Sequence, residues 1–315
     1  MALNMQKISR RGRQRMVRSL ALGPHITIVM KGRILKIGEV FDEFWMRSKD
    51  MLSLPEIIAS LQRLPGRPDI MTSVQKLPYV NPQYPYYHDW TNFAVAHFGS
   101  YKEWFETQID RSAKKQIRQS VRAGIRTEVV SLNDDLVKGI CSIYNEIPIR
   151  QGRKFWHYGK DPEVVKTENS TYLERSVFIG AFCENELVGF TKIVFDEEVA
   201  SLMQILSKSA YFGKRPNNAL LSKAVDVCEQ RQAKYLTYGQ YAYGKKDRSS
   251  LIEFKKSLGF NRVEVPRYYI PLTFLGRAAL ALRLHKGIRD RIPASLGAAF
   301  IRLRTQLNRL RWRHP

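Results

Sequence analysis

The sequence is short of acids, of cysteines and of long apolar runs. It holds 29 Asp and Glu against 52 Lys and Arg, a formal net charge of +23 over 315 residues. The shortage is local. Residues 1–20 carry Lys7, Arg10, Arg11, Arg13, Arg15 and Arg18 with no acid, and residues 274–315 carry ten cations against Asp290 alone. Basic ends of this kind suit an anionic partner such as lipid headgroups, RNA or an acidic surface. The three cysteines, Cys141, Cys183 and Cys228, are widely spaced and form no CxxC pair. That excludes a disulfide framework and a zinc ribbon, and predicts reduced core thiols in a cytoplasmic protein. No apolar run approaches the ~18 residues of a membrane span. Leu20-Ala21-Leu22 is too short for a signal-peptide core. There is no repeat at solenoid spacing.

What is present reads as α and β segments. Ile26–Met30 and Arg33–Val40 flank a Lys31-Gly32 turn as a hairpin. Leu54–Leu64 has helical spacing with Pro55 near its start, and Asp69–Leu77 reads as a strand. Pro78–Trp90 is too rich in Pro and aromatics to be regular. Residues 100–124 predict a helix with Ile109, Ala113, Ile117 and Val121 on one face. Arg111, Lys115, Arg118 and Arg122 lie on the other. Arg126–Val130 is a strand, and helices follow at Leu136–Ile147 and Val164–Leu173. Val177–Cys183, Leu187–Phe195 and Val199–Leu206 then make a three-strand meander.

The next stretch carries the chemistry. A basic turn, Lys208 to Asn218, leads from Val199–Leu206 into a helix expected over Ala219–Ala233. Helix-start amides lack intrahelical partners and attract anions. Lys214, Arg215, Asn217, Asn218 and Ala219 are therefore candidates to hold a phosphate-bearing cofactor. A short strand Tyr235–Gly239, a helix ending in Leu258-Gly259-Phe260, and a strand pair over Arg262–Leu272 complete the pattern. His157, whose ordinary pKa suits proton transfer near neutrality, and Glu146 are candidate bases. Tyr241 and Tyr243, just past the strand end at Gly239, are candidate acids. Arg150, Arg153, Trp156, Gln204 and Tyr238 are candidate substrate contacts. Beyond Pro293, Leu296, Phe300, Leu303, Leu307 and Leu310 form a narrow apolar stripe beside Arg302, Arg304, Arg309 and Arg311. This suits a membrane interface or a partner groove.

From Arg126 to Leu272 the element order resembles the GNAT (acyl-CoA N-acyltransferase) superfamily. Lys214-Arg215-Pro216-Asn217-Asn218-Ala219 resembles its phosphate loop, with Asn217 at the central glycine, a residue type that tolerates left-handed backbone. Phe254 and Gly259-Phe260 match its closing helix, but Lys255 stands where the family often has a tyrosine acid. The basic stretch Arg111–Gly124, with Pro216-Asn-Asn-Ala-Leu-Leu, Tyr238-Gly239 and Phe254–Phe260, is similar to the BioF2-like and Fem-type branch, which joins two GNAT-like units.

The resemblance implies an α+β, α/β/α-layered fold with a GNAT-like mixed sheet flanked by helices. Residues 1–24 would be a basic tail, 25–98 a reduced first unit, 99–273 the acyltransferase domain and 274–315 a basic amphipathic helical tail. It implies transfer from acetyl-CoA or another acyl-CoA to an amine of a small molecule or a sugar or lipid precursor. The alternatives are a Fem-type transferase using charged tRNA, or an inactive module that binds a membrane through its basic termini. A splay between strands Val199–Leu206 and Tyr235–Gly239 would offer amides to the reacting carbonyl, and no metal is expected.

Overall fold

The computed structural model describes residues 4–10, 13–150, 152–243 and 249–286. They fall into two compact units, one of residues up to 92 with 264–286, the other of residues 93–263. The apolar stripe at Leu296–Leu310 lies outside the described residues.

The first unit begins with β1 (Asn4–Arg10) and β2 (Arg13–Ala21), which pair antiparallel. The basic start is thus a strand pair rather than a tail. β3 (Thr27–Lys31) and β4 (Ile37–Val40) form the expected hairpin. α1 (Leu54–Gln62) starts at a reciprocal cap: Ser53 Oγ accepts from the Glu56 amide, and the Glu56 carboxylate accepts from the Ser53 amide. Its Ile57 and Leu61 pack with Leu20, Ile28 and Met71. β5 (Ile70–Val74) lies parallel to β4, and β6 (His88–His97) carries the chain onward into the second unit.

In the second unit α2 (Tyr101–Glu103) widens into a single π turn, Trp104–Gln108, before α3 (Arg111–Arg122). The sequence reads this as one helix, but Asp110 caps a fresh start at Arg111, its side chain accepting from the Ala113 amide. Ala113 and Ile117 are buried, whereas Val121 is exposed and Ser120 takes an inward position. β7 (Ile125–Val130), α4 (Asp134–Tyr144), the two-residue pair β8 (Ile149–Arg150) and β9 (Arg153–Lys154), and α5 (Pro162–Asn169) follow. β10 (Ser176–Cys183), β11 (Glu186–Asp196) and β12 (Val199–Ser207) form the antiparallel meander, with β7 beside β10. α6 (Pro216–Gln230) leads to β13 (Tyr235–Thr237), which runs parallel to β12 and antiparallel to β6.

Alternation along β10 sorts the two faces. Val177, Ile179 and Ala181 pack with α3 and α6, and Phe178 packs with α4 and α5. The result is a mixed sheet between helical layers. Cys183 and Cys228 are buried and free, as expected.

α7 (Ser250–Ser257) precedes β14 (Asn261–Pro271), a single long strand where a strand pair was expected. β14 returns the chain to the first unit, where it pairs antiparallel with β5 and is followed by α8 (Phe274–Ala281). Among the described residues no helix is long and apolar enough to cross a membrane.

Candidate functional site

Two strands part in the second unit, and the candidate residues gather on either side of the parting. Parallel pairing of β12 with β13 runs only from Val199–Tyr235 to Ser201–Thr237. There the Thr237 hydroxyl donates to Ser201 Oγ at 2.8 Å. Past that point β13 stays with β6: the Tyr238 amide donates to Ala94 O at 2.8 Å, and the Ala94 amide to Gly239 O at 2.9 Å. β12 stays with β11, and a bulge leaves Met203 without a partner in the ladder. The expected splay is present.

On the β13 side stands a residue that sequence reading noted only as a departure. Lys255 is fully buried. Its Nζ donates to Gln240 O at 2.6 Å and lies 4.7 Å from the Tyr238 ring and 5.3 Å from the Tyr243 ring. Burial pushes its pKa down from 10.5 to about 8. The phenols of Tyr238 and Tyr243 are pushed up by burial, which makes them weaker acids. Of the groups gathered here, Lys255 is therefore the best proton donor, ahead of Tyr243. Tyr241 packs at the edge of the core instead. The signal in the sequence was helical spacing: Lys255 lies four residues after Leu251, three after Ile252 and three before Leu258, on the apolar face.

On the β12 side, Gln204 Nε2 donates to Tyr144 Oη at 2.6 Å and stands 3.3 Å from His157 Nε2. His157 is buried between the rings of Tyr144 (4.2 Å) and Phe155 (5.2 Å). Burial, with Lys160 and Arg150 nearby, pushes its pKa down to about 3. It is neutral at physiological pH and too weakly basic to take a proton from an amine. The structure thus makes His157 a packing and hydrogen-bonding residue. Trp156 is exposed beside it, with Lys160 Nζ 4.2 Å from its ring. Arg153 is exposed on β9. Arg150 points inward: its guanidinium lies 4.4 Å from the Phe155 ring and donates to Ser207 O, Ile143 O and Glu146.

Glu146 explains the basic turn. Its carboxylate accepts from the Ser209 amide at 2.7 Å and the Ala210 amide at 2.9 Å, and from Arg150 Nη2 at 3.2 Å. These bonds hold its pKa below the ordinary carboxylate value despite partial burial. It is an internal clamp rather than a base. The turn continues as a 3₁₀ segment, Ser209–Lys214. Arg215, not Asn217, takes the left-handed backbone (φ 60°, ψ 42°), and Asn217 is already helical. Pro216 brings no N–H, and the Asn218 and Ala219 amides turn back to Arg215 O at 3.1 and 3.3 Å. Lys214 Nζ donates to Cys183 Sγ at 3.0 Å. In the stretch expected to cradle a phosphate the Asn218 and Ala219 amides are satisfied from within, Asn217 Oδ1 and Asn218 Nδ2 are buried with no hydrogen-bond partner among the described residues, and Glu146 binds amides upstream of it.

No family model and no curated protein sequence matches the chain. Among solved structures it is similar to the C-terminal domain (DUF2156) of a protein assigned as a lysylphosphatidylglycerol synthetase from Agrobacterium fabrum. That likeness has a TM-score of 0.53 and 13% identity over 85% of this chain and 87% of that one. It is similar to FemX, with a TM-score of 0.53 and 10% identity over 88% and 90% of the two chains. It is also similar to L-PGS from Bacillus licheniformis, with a TM-score of 0.50 and 12% identity over 85% and 88%. At these identities the likeness is one of fold: the chain has a GNAT-like fold, a mixed sheet flanked by helices.

Proposed function

We propose that the protein is an acyl-group transferase acting at the parting of β12 and β13, moving an aminoacyl group from charged tRNA to an amine. The observation that carries the reading is Lys255, a fully buried lysine with a near-neutral pKa beside the strand end. In such a reaction the amine attacks the ester carbonyl and a C–N bond forms. The carbonyl oxygen becomes an oxyanion, the C–O bond to the ribose breaks, and the departing oxygen needs a proton. A buried ammonium stabilises the oxyanion, supplies that proton and, once neutral, takes up the proton that the attacking nitrogen sheds. The acceptor amine enters as the free base, because Glu146 and His157 are both poor bases here. Charged tRNA is put ahead of acyl-CoA because Pro216 offers no N–H and the Asn218 and Ala219 amides already bond Arg215 O, which leaves the start of α6 few amides for a pyrophosphate. Acyl-CoA is the second reading, favoured by Lys214 and Arg215 at the start of the fifteen-residue α6.

The test is transfer of labelled amino acid from charged tRNA, and of labelled acetyl and longer acyl groups from CoA, to a panel of amines. Lys255→Met is expected to lower kcat at least a hundredfold with substrate affinity kept. Full activity in that variant would refute the role given to Lys255. Turnover or micromolar binding with acyl-CoA alone would make the second reading the correct one.

A further inference from the structure

α8, in the first unit, is built inside out. Its inward face carries Gly276 and Ala279, both buried, while Phe274, Leu275 and Leu282 face solvent. A Cβ on Gly276 would lie 2.0 Å from Asp69 O, so the helix backbone rests directly on the end of β5. Phe274 is 84% exposed and Leu282 66%, and Leu284 is exposed beyond them. At 3.6 residues per turn Phe274, Leu275, Arg277, Ala281 and Leu282 share somewhat less than half of the helix circumference.

A second apolar point stands beside this helix. Ile34, at the tip of the β3–β4 hairpin, is 85% exposed. The Asp69 carboxylate ties the two places together, accepting from the Lys36 amide at 2.8 Å and from Thr273 Oγ1, the α8 cap, at 2.7 Å. Around them lie Arg33, Arg277 and Arg283, all exposed. The sequence after residue 286 adds seven arginines against Asp290.

We infer that this face of the first unit, Ile34 with α8 and the residues up to Leu284, docks on an anionic bilayer surface. Large side chains that a soluble helix would turn inward are turned out here, and the exposed charges named beside them, Arg33, Arg277 and Arg283, are all positive. That combination matches insertion of apolar side chains at the headgroup level with arginines on the phosphates. The inference stands apart from the transferase reading, because adsorption does not depend on turnover.

The test is co-sedimentation of the full chain with vesicles of equal parts phosphatidylserine and phosphatidylcholine, against phosphatidylcholine alone, over a salt series. Selective binding to the anionic vesicles that weakens with salt is expected. Phe274→Glu with Leu282→Glu should lower the affinity tenfold or more while leaving the melting temperature in place. If that pair disturbs folding, Ile34→Glu on the hairpin tip gives the same reading. The inference is overturned if the acidic variants bind like the unaltered protein, since basic residues alone would then account for adsorption. It is equally overturned if the full chain ignores both vesicles, including the case in which it retains only RNA.

Discussion

Replacing Lys255 with methionine should remove activity and change stability in a pH-dependent way. A fall in pKa from 10.5 to about 8 means that the fold disfavours the charged form by about 3 kcal/mol. Methionine removes that cost and fills a similar volume. It leaves Gln240 O without its donor, an opposing loss of about 1–2 kcal/mol. At pH 7 the variant is therefore expected to be more stable by about 1–2 kcal/mol. The pH dependence is the sharper signature. Between pH 8 and 10.5 the unfolded lysine binds a proton that the folded one has released, so the unaltered protein gains stability as pH rises. The variant lacks that gain, and the gap between the two should move by about 3 kcal/mol from pH 7 to pH 10.5, reversing sign. Lys192, also pushed down to about 8, contributes equally to both proteins and cancels. Urea unfolding of both proteins at several pH values measures the gap. A gap that stays constant with pH would refute the reading of Lys255 as a destabilised buried cation.

Three further outcomes follow from the same geometry. Glu146→Gln should weaken the clamp on the Ser209 and Ala210 amides and cost about 2 kcal/mol in thermal or urea unfolding. Unchanged stability would show that the clamp is idle. Because the Glu146 pKa is held low, its contribution is present above the ordinary carboxylate range and fades as pH falls through the lowered value. The variant should therefore lose the share of the acid limb that Glu146 contributes, while Asp89 and Glu186, also held low, keep theirs. His157→Gln should leave the pH dependence of kcat between 5.5 and 8 unaltered, since a group at about 3 does not titrate there. Loss of an inflection in that range would restore His157 as a base. Gly276→Ala should lower the melting temperature by several degrees, because the new Cβ meets backbone at 2.0 Å, and an unchanged melting curve would show that α8 shifts freely.

Local regularities were the legible part of the sequence. The meander, α1 with Pro55 and the β3–β4 hairpin follow from alternation and turn residues, whereas the separation of β12 from β13 is what the resemblance to the GNAT superfamily implies. Long-range pairing was illegible. The start of the chain reads as a basic tail because its charge dominates composition, yet β1 finds β2 as a partner. Arg262–Leu272 reads as a strand pair, yet it runs as one strand whose last five residues, Arg267–Pro271, pair with β5. At the site, residue type misled where environment decides. His157 looks like a base until burial is counted, Glu146 looks free until the Ser209 and Ala210 amides are seen, and Lys255 looks like a lost tyrosine until its burial is known. Propensity alone points to Asn217 for left-handed backbone. Arg215 holds that conformation because it links a 3₁₀ turn to a helix that begins with Pro216.

The first unit is discontinuous in sequence, and this fixes an order of events during synthesis. β5 waits for β14, its antiparallel partner, and β14 emerges only after residues 93–263 have been made. At ribosomal rates of ~5–20 residues per second that interval is roughly 10–30 s. Throughout it, Ile70, Met71 and Val74, buried in the finished protein, face an empty ladder. The second unit can complete its meander and α6 in that time, so the unit that begins first is closed last.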